Sequence, residues 1–440
     1  MKKTARRGGT RRERRRCSAW ATLAVAAVLA LVLATTGLAA SARTELVSVS
    51  PSGAPGNSDS LFTAVSADGR YVAFASAATN LVPGDTNRAL DVFVRDRELD
   101  TTERVSVSST GQQGNSHSFQ PAISADGRYV AFTSAATNLV AWDTNRDNDV
   151  FVRDLKLGTT ERLSVSSGGR EGDENSQAPA ISADGRYVAF TSKASNLVSH
   201  DNNLDDVFVR DRELDTTKRV SVSSTGEQSN SDSFQPAISA DGRYVAFTSW
   251  ASNLVAGDTN GVADVFVRDR ERAQTTRVSV SSTGHQSRGG PNRSPAISAN
   301  GRYVAFTSAA TNLVAADTNG VGDVFVRDRE RDKTRRVSVS STGQPANGSS
   351  FHPAISAHGR YVVFASAATD LVVGGTNGAR QAFLWDRKLG TTRRASFSST
   401  GLPGNSNSDG PAISGDGRYV AFVSEPDGGR IGIFVRGPLH

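Results

Sequence analysis

One short segment, Ser-Ala-Asp-Gly-Arg-Tyr or a near variant of it, recurs seven times along this chain of 440 residues. The spacings between copies are 57 to 59 residues, and the copies begin at Ser66, Ser124, Ser182, Ser239, Ser298, Ser356 and Ser414. Self-similarity at one period is typical of repeat proteins, in which each unit buries its apolar surface against its neighbours. The repeated region is therefore expected to fold as one array, although the length alone would suggest several domains.

Each unit contains four short segments that are typical of β-strands, because they are rich in β-branched or aromatic residues and are bounded by turn formers. In the second unit these segments are residues 121–124, 128–134, 149–153 and 161–166. Asp126-Gly127 separates the first two strands and supplies the positive φ that a two-residue hairpin requires. The second strand is apolar on both faces, so neighbouring units must cover both of them.

The number of strands predicts a closed ring. Segment 44–50 matches only the fourth strand of a unit, six complete units follow, and the chain ends with three strands at 411–414, 418–423 and 431–435. The N-terminal strand thus supplies what the last unit lacks, and closure leaves no free end blade. We predict an all-β fold over residues 43–440, a seven-bladed β-propeller of four-stranded antiparallel blades in which the N-terminal strand completes the last blade.

Segment 121–134, Pro-Ala-Ile-Ser-Ala-Asp-Gly-Arg-Tyr-Val-Ala-Phe-Thr-Ser, resembles the repeat of TolB-type, WD-repeat-like bacterial β-propellers. The resemblance extends over all seven units, residues 44–436. It implies the propeller fold. It does not imply one function, because such propellers include translocation-complex components and peptidase propeller domains. The present units are long for this family, and the extra residues lie between the second and third strands.

The first 42 residues have the pattern of an export signal. Nine basic residues precede an apolar run at 19–40, and Ala40-Ser41-Ala42 offers small residues to a signal peptidase. We predict cleavage after Ala42, and retention of residues 1–42 as a membrane anchor is the alternative. Both outcomes predict a secreted or otherwise extracytoplasmic protein of the cell envelope, which contacts the membrane only if this segment is retained.

Charge and cysteine content exclude several classes of function. The formal charge is +6, but the first 42 residues contribute +8, so the remaining chain carries −2 and no nucleic-acid partner is predicted. The single cysteine, Cys17, lies before the apolar run. Disulfides, zinc–thiolate sites and thiol catalysis are therefore not expected in residues 43–440.

The long loop between the second and third strands carries an Asp-x-Asn-x-x-x-Asp pattern in four units. Alternating oxygen side chains of this kind can wrap calcium, and they can equally form Asx turns that fix the loop without a metal. Calcium is the only cofactor that the sequence suggests. The candidate ligands are Asp85, Asn87, Asp91, Asp143, Asn145, Asp149, Asp258, Asn260, Asp264, Asp317, Asn319 and Asp323.

Catalysis finds little support in the sequence. The histidines occupy unrelated positions in different units, and no Gly-x-Ser-x-Gly elbow is present. No catalytic residue is therefore assigned, and we expect a monomeric, non-catalytic scaffold that binds a protein or glycan of the cell envelope through its long-loop face. The alternative is an extracytoplasmic hydrolase or lyase with one asymmetric site near blades six and seven, where the loops at 375–381 and 425–430 differ from the others; Asp370 and Glu425 are the residues to test there.

Overall fold

The computed structural model describes residues 42–440, except residues 316, 318, 377, 405 and 426–428. The described part of the chain contains 28 β-strands and no helix that is long and apolar enough to cross a membrane. Of the predicted signal peptide only Ala42 lies within the described residues, so the cleavage of that segment stays a prediction.

The strands lie in chain order and have these bounds: β1 Arg43–Leu46, β2 Ser60–Val65, β3 Tyr71–Ser76, β4 Asp91–Asp96, β5 Thr101–Arg104, β6 Ser118–Ile123, β7 Tyr129–Ser134, β8 Asp149–Asp154, β9 Thr159–Arg162, β10 Ser176–Ile181, β11 Tyr187–Ser192, β12 Asp206–Asp211, β13 Thr216–Arg219, β14 Ser233–Ile238, β15 Tyr244–Ser249, β16 Asp264–Asp269, β17 Gln274–Arg277, β18 Asn292–Ile297, β19 Tyr303–Ser308, β20 Asp323–Asp328, β21 Lys333–Arg336, β22 Ser350–Ile355, β23 Tyr361–Ser366, β24 Gln381–Asp386, β25 Thr391–Arg394, β26 Ser408–Ile413, β27 Val420–Ser424 and β28 Gly432–Gly437.

These strands form seven four-stranded antiparallel sheets, and each sheet is one blade. Six blades consist of four consecutive strands, from β2–β5 (blade 1) to β22–β25 (blade 6). Blade 7 has the order β1-β28-β27-β26, so the first strand of the chain pairs with the last one, with Arg43 opposite Gly437 and Leu46 opposite Phe434. The predicted seven-bladed propeller and its closure by the N-terminal strand are both confirmed.

A circle of backbone hydrogen bonds joins the Asp-Gly hairpins of neighbouring blades. The Ala67 N–H of blade 1 donates to the Ala125 carbonyl of blade 2 at 3.0 Å, and the same bond recurs from each blade to the next. The last blade returns to the first, because the Asp416 N–H donates to the Ala67 carbonyl at 3.0 Å. Each hairpin therefore satisfies one of its backbone groups with a hydrogen bond to a neighbouring blade. Only a closed ring provides such a neighbour for all seven units.

The hydrophobic core lies between the blades. In blade 2 the Phe132 and Phe151 rings stack with their centroids 5.8 Å apart, and they pack against Ala73 and Val92 of blade 1. Equivalent phenylalanine pairs occur in the other six blades. One face of each blade thus offers bulky rings and the opposite face offers small aliphatic side chains, which explains why the second and third strands are apolar on both faces.

Candidate binding site

The loops predicted to bind calcium each hold an arginine that the sequence pattern did not include. In blade 1 the Arg104 guanidinium lies 3.4 Å from Asp85 and 3.7 Å from Asp91. Asn87 donates its amide hydrogens to Asp91 at 3.0 Å and accepts the Ala89 N–H on its oxygen. The three predicted side chains of this loop are therefore brought together, and the chain itself supplies a positive charge between the two carboxylates.

The same arrangement recurs in the other loops with this pattern. Arg162 contacts Asp143 and Asp149 at 3.6 and 3.3 Å, Arg277 contacts Asp258 and Asp264 at 2.9 and 3.2 Å, and Arg336 contacts Asp317 and Asp323 at 3.5 and 3.1 Å. The asparagines Asn145, Asn260 and Asn319 again donate to the second aspartate. A signal for this arginine was present in the sequence, since each of these units has an arginine in its fourth strand.

The loop of blade 2 differs from the others by a third carboxylate. One oxygen each of Asp143, Asp149 and Glu171 lies within 4.8 Å of the other two, and Arg162 contacts Glu171 at 2.6 Å. Burial, followed by the charge of the neighbouring Asp149, raises the pKa of Asp143 to about 6, against a smaller lowering by Arg162. Among the described residues, this is the loop in which three carboxylates lie together.

The residues suggested for an enzyme site in blades 6 and 7 have different surroundings. Asp370 accepts the Asn347 backbone N–H at 3.0 Å, which is the role that Asn80 has toward Asn57 in blade 1. Glu425 lines a cavity of about 260 Å³ between the loops of blades 6 and 7. The structure therefore gives Asp370 a loop-fixing contact and leaves Glu425 beside a cavity.

The first strands of the blades contact one another around the ring and form its inner wall. The third residue of each has positive φ, between 50° and 55°, and the pairing with the second strand is irregular there. A residue other than glycine pays about 1 kcal/mol for this conformation, and such strain is common at functional positions. These seven bulge residues are Phe62, Gln120, Ala178, Gln235, Ser294, His352 and Gly410.

The bulges connect neighbouring blades. Gln120 accepts the Ala178 N–H on its side-chain oxygen at 3.1 Å, and Gln235 accepts the Ser294 N–H at the same distance. Because each strand enters directly from a long loop, its third residue lies toward the long-loop end of the inner wall. Apart from the two glutamines, the bulge residues differ from blade to blade along this wall, where the first strands of all seven blades meet.

Blades 6 and 7 contribute a charged group to this wall. His352 Nδ1 lies 3.0 Å from Asp409 Oδ1, and Arg380 Nη1 lies 2.8 Å from Asp409 Oδ2. The carboxylate only accepts, so Nδ1 of His352 carries the hydrogen and Nε2 is left for another partner. Burial raises the pKa of Asp409, but the bond from His352 and the charge of Arg380 outweigh it, and the pKa lies below its ordinary value.

Aromatic side chains are exposed at the same end of the wall. Phe62 is 42% exposed, and its ring lies 6.3 Å from that of Phe119 in the next blade. Trp250, which directly follows β15, is 41% exposed and lies under the Arg293 guanidinium at 5.6 Å. We call Phe62, Trp250, Arg293 and the His352–Asp409–Arg380 group together the axial rim.

The sequence patterns did not identify the axial rim, because they followed what the repeats share. The signal that could have found it is the opposite one: the second and third residues of each first strand vary, whereas the following Pro-Ala-Ile-Ser is nearly constant. In a ring of equal blades, a site for an asymmetric ligand requires such variation.

No protein-family model matches this chain, and no curated protein matches it significantly. Solved structures do match. TolB from Acinetobacter baumannii is 15% identical with a TM-score of 0.42, over 86% of this chain and 66% of that one. An oligogalacturonate lyase in complex with manganese is 11% identical with a TM-score of 0.52, over 90% of both chains. An acylaminoacyl peptidase in complex with a chloromethyl ketone is 11% identical with a TM-score of 0.53, over 86% of this chain.

The match spans about half of the peptidase, 51% of its length. TolB proteins are thus among the structural neighbours, and the lyase and the peptidase share the fold of this chain at TM-scores of 0.52 and 0.53. Similarities at these identities describe the fold alone, because one fold can support many functions.

Proposed function

We propose that this chain is an extracytoplasmic, non-catalytic binding propeller whose ligand is a protein or glycan of the cell envelope. The ligand docks on the long-loop end of the ring. The observation that carries this proposal is the axial rim, in which exposed aromatic rings and arginines from different blades replace the otherwise repeated pattern. The predicted export signal in residues 1–42 supports the location.

The side chains of the axial rim suit a ligand with both flat and charged parts. Phe62 and Trp250 offer ring faces on which a sugar ring or an apolar side chain stacks. Arg293 and Arg380 bind carboxylate or phosphate groups. Phe62 and Arg293 lie within strands, and Trp250 and Arg380 directly adjoin one, so the spacing of these side chains is largely fixed before the ligand arrives, which lowers the entropic cost of binding.

The test uses envelope material from the producing cell and immobilised protein. The double variant Phe62→Ala, Trp250→Ala is expected to lose most of the bound protein or glycan, whereas the matched variant Leu214→Ala, Leu389→Ala, which removes exposed apolar side chains from short turns between third and fourth strands, retains it. Equal capture by both double variants would contradict the proposed docking surface.

Calcium remains a proposal for the long loops. Each arginine already neutralises part of the charge of the two aspartates, so calcium has to compete with it, and the third carboxylate of blade 2 makes that loop the most favourable position. We expect millimolar calcium to raise the melting temperature of the wild-type protein and Glu171→Gln to reduce that rise. No rise with the wild-type protein would overturn the calcium proposal while leaving the axial rim untouched.

A second candidate function is a hydrolase or lyase that acts at blades 6 and 7. The observation that favours it is the contact between His352 and Asp409, since a carboxylate that orients a histidine leaves Nε2 available as a general base. The oligogalacturonate lyase shares the fold over 90% of its length. His352 and Asp409 are therefore better probes of this candidate than Asp370, which fixes a loop.

This candidate predicts that the wild-type protein cleaves at least one anionic polysaccharide. The expected result is release of reducing ends or unsaturated products, which His352→Ala abolishes. The double variant Phe62→Ala, Trp250→Ala should raise KM and so lower the rate at low substrate concentration. Binding of a glycan without any cleavage would favour the non-catalytic binding function and would overturn the proposed hydrolase or lyase activity.

A further inference from the structure

On the hairpin face, opposite the long loops, an arginine joins each of five blade pairs. It follows the third strand of one blade, and its guanidinium lies 4.2 to 4.7 Å from the ring centroid of a tyrosine in the preceding blade. This tyrosine begins the second strand or, in blade 7, directly precedes it. The pairs are Arg97–Tyr419, Arg212–Tyr129, Arg270–Tyr187, Arg329–Tyr244 and Arg387–Tyr303.

Between blades 2 and 3, three groups hold this arginine. The Arg212 guanidinium lies 4.6 Å from the Tyr129 centroid, donates to the Gly185 carbonyl at 2.7 Å and contacts the Glu161 carboxylate at 3.3 Å. Between blades 7 and 1 the same three groups recur around Arg97, including an ion pair with Glu45. A ring face, a carbonyl and a carboxylate together satisfy the charge and the donors of a guanidinium.

Between blades 1 and 2 the three groups are present but the arginine is not. Its position is taken by Leu155. The Leu155 N–H donates to the Arg128 carbonyl, as the Arg212 N–H donates to the Arg186 carbonyl between blades 2 and 3. The ring, the carboxylate and the carbonyl that surround Arg97 and Arg212 have counterparts here in Tyr71, Glu103 and Gly127. With Leu155, these residues line a cavity of about 480 Å³. We call this cavity the Tyr71 pocket.

Of the three carboxylates that line the Tyr71 pocket, Asp96 forms an ion pair, whereas Glu103 and Asp126 have no ion pair within 4.0 Å among the described residues. Asp96 is bound by Arg70 at 2.6 Å, and Arg128 is bound by Asp154 at 2.7 Å. Burial raises the pKa of Glu103, and the more distant Arg153 lowers it less. The remaining lining groups include Asp126, which accepts from its own hairpin, and the exposed Lys156 at the rim.

One other blade pair has also lost the arginine, and it differs in the other groups. Between blades 6 and 7 the position is taken by Leu439, whose N–H bonds the Arg418 carbonyl. There the carboxylate is replaced as well, by Arg393, which donates to the Leu439 carbonyl at 3.1 Å. Among the blade pairs that the structure describes, the Tyr71 pocket therefore combines a missing arginine with the ring, the carbonyl and the carboxylate that surround Arg97 and Arg212.

We propose that the Tyr71 pocket binds an arginine side chain presented by another polypeptide. The guanidinium contacts the Tyr71 ring, the Glu103 carboxylate and the Gly127 carbonyl as Arg97 and Arg212 contact the equivalent groups. The pocket lies on the opposite face from the axial rim, so it provides a second attachment point that is independent of the ligand proposed above. Leu99, 66% exposed at the pocket edge, offers an apolar surface for the residues flanking the bound arginine.

The first test uses a pentapeptide with a central arginine and four glycines, acetylated at its N-terminus and amidated at its C-terminus. Its binding to the full chain is measured by ligand-observed NMR. A dissociation constant of about 1 mM is expected for one solvent-accessible cation site. The lysine peptide should bind more weakly and the uncharged citrulline peptide not at all. Free arginine amide separates a small-molecule site from a peptide site, because the flanking contacts with Leu99 require a peptide and should make it the tighter ligand.

Two variants use the repeat itself as a control. Leu155→Arg places the chain's own arginine in the pocket and should abolish peptide binding without loss of the fold, while Leu155→Met keeps binding within about twofold because it adds no charge. Arg212→Leu should create an equivalent site between blades 2 and 3 and raise the stoichiometry from one to two. Unfolding midpoints measured alongside show that each variant is folded.

Peptide binding that persists in Leu155→Arg, or wild-type protein that does not distinguish arginine from citrulline, would overturn the proposal. Neither result depends on the axial rim, because Phe62 and Trp250 lie on the opposite face from the Tyr71 pocket. The double variant Phe62→Ala, Trp250→Ala should therefore bind the arginine peptide as the wild type does.

Discussion

The contribution of the N-terminal strand to stability can be measured at one side chain. Val47 follows β1, is 1% exposed and packs against Val72, Phe74 and Leu81 of blade 1. Val47→Ala removes two buried carbons at about 0.8 kcal/mol each and leaves a cavity, so that the free energy of unfolding should fall by about 2–3 kcal/mol. Equilibrium unfolding in urea, followed through the fluorescence of the buried Trp385, measures this change.

Val105→Ala is the matched control, because Val105 holds the same position in an ordinary blade. The Val105 N–H donates to Val92 at 2.7 Å, and the Val47 N–H donates to Ile433 at 2.8 Å. If the ring closes as described, the two variants should lose the same free energy within about 0.5 kcal/mol. A Val47→Ala protein as stable as the wild type, beside a destabilised Val105→Ala, would refute the view that the N-terminal strand is part of the cooperative fold.

Two further predictions concern the hairpin face. Gly242→Ala should lower the free energy of unfolding by at least about 2 kcal/mol, because φ is +72° and the added Cβ would lie 2.1 Å from the Tyr187 ring. Gly257→Ala is the control and should cost about 1 kcal/mol, because φ is +69° but the space around the residue is open. Equal losses in thermal unfolding would contradict the role of the tyrosine contact. Asp211→Asn should destabilise the protein at neutral pH and progressively less in acid. Burial raises the pKa of Asp211, but the bonds from Arg186 and from two backbone N–H groups lower it more, to below its ordinary value. The stability that the carboxylate contributes is thus complete above about pH 5 and is lost as the pH falls below about 4. A gap between wild type and variant that stays constant from pH 7 to pH 3 would show that this ion pair does not contribute.

Much of the fold followed from the repeat because each local signal in it has one structural meaning. Asp-Gly at a fixed position specifies a tight hairpin, and Gly69 adopts φ +78° there. A strand that is apolar on both faces requires neighbours on both sides. Seven copies, with one strand at the start and three at the end, then leave a closed ring as the arrangement in which every such strand is covered.

The candidate site followed from the sequence only in part. The side chains of the Asp-x-Asn-x-x-x-Asp pattern lie together in the folded loop, as Asp85, Asn87 and Asp91 show, and calcium binding there stays a prediction. It did not reveal Arg104, because that residue lies in another strand and reaches the loop only in the folded blade. The contact of His352 with Asp409 spans 57 residues and exists only because the first strands of neighbouring blades line one wall.

The sequence by itself determined the repeat, the strands and hairpins within it, the number of blades and the joining of the chain ends, since these depend on periodicity and on local backbone preferences. Tertiary structure decided which side chains from different strands meet, both within a blade and between blades. It set the arginines among the loop carboxylates, assembled the axial rim from single positions in different units, and left Leu155 where five other interfaces hold an arginine. The physical reason is that contacts between blades join residues about one repeat apart, and their chemistry depends on both partners, whereas a strand or a turn depends only on its own neighbours in the chain.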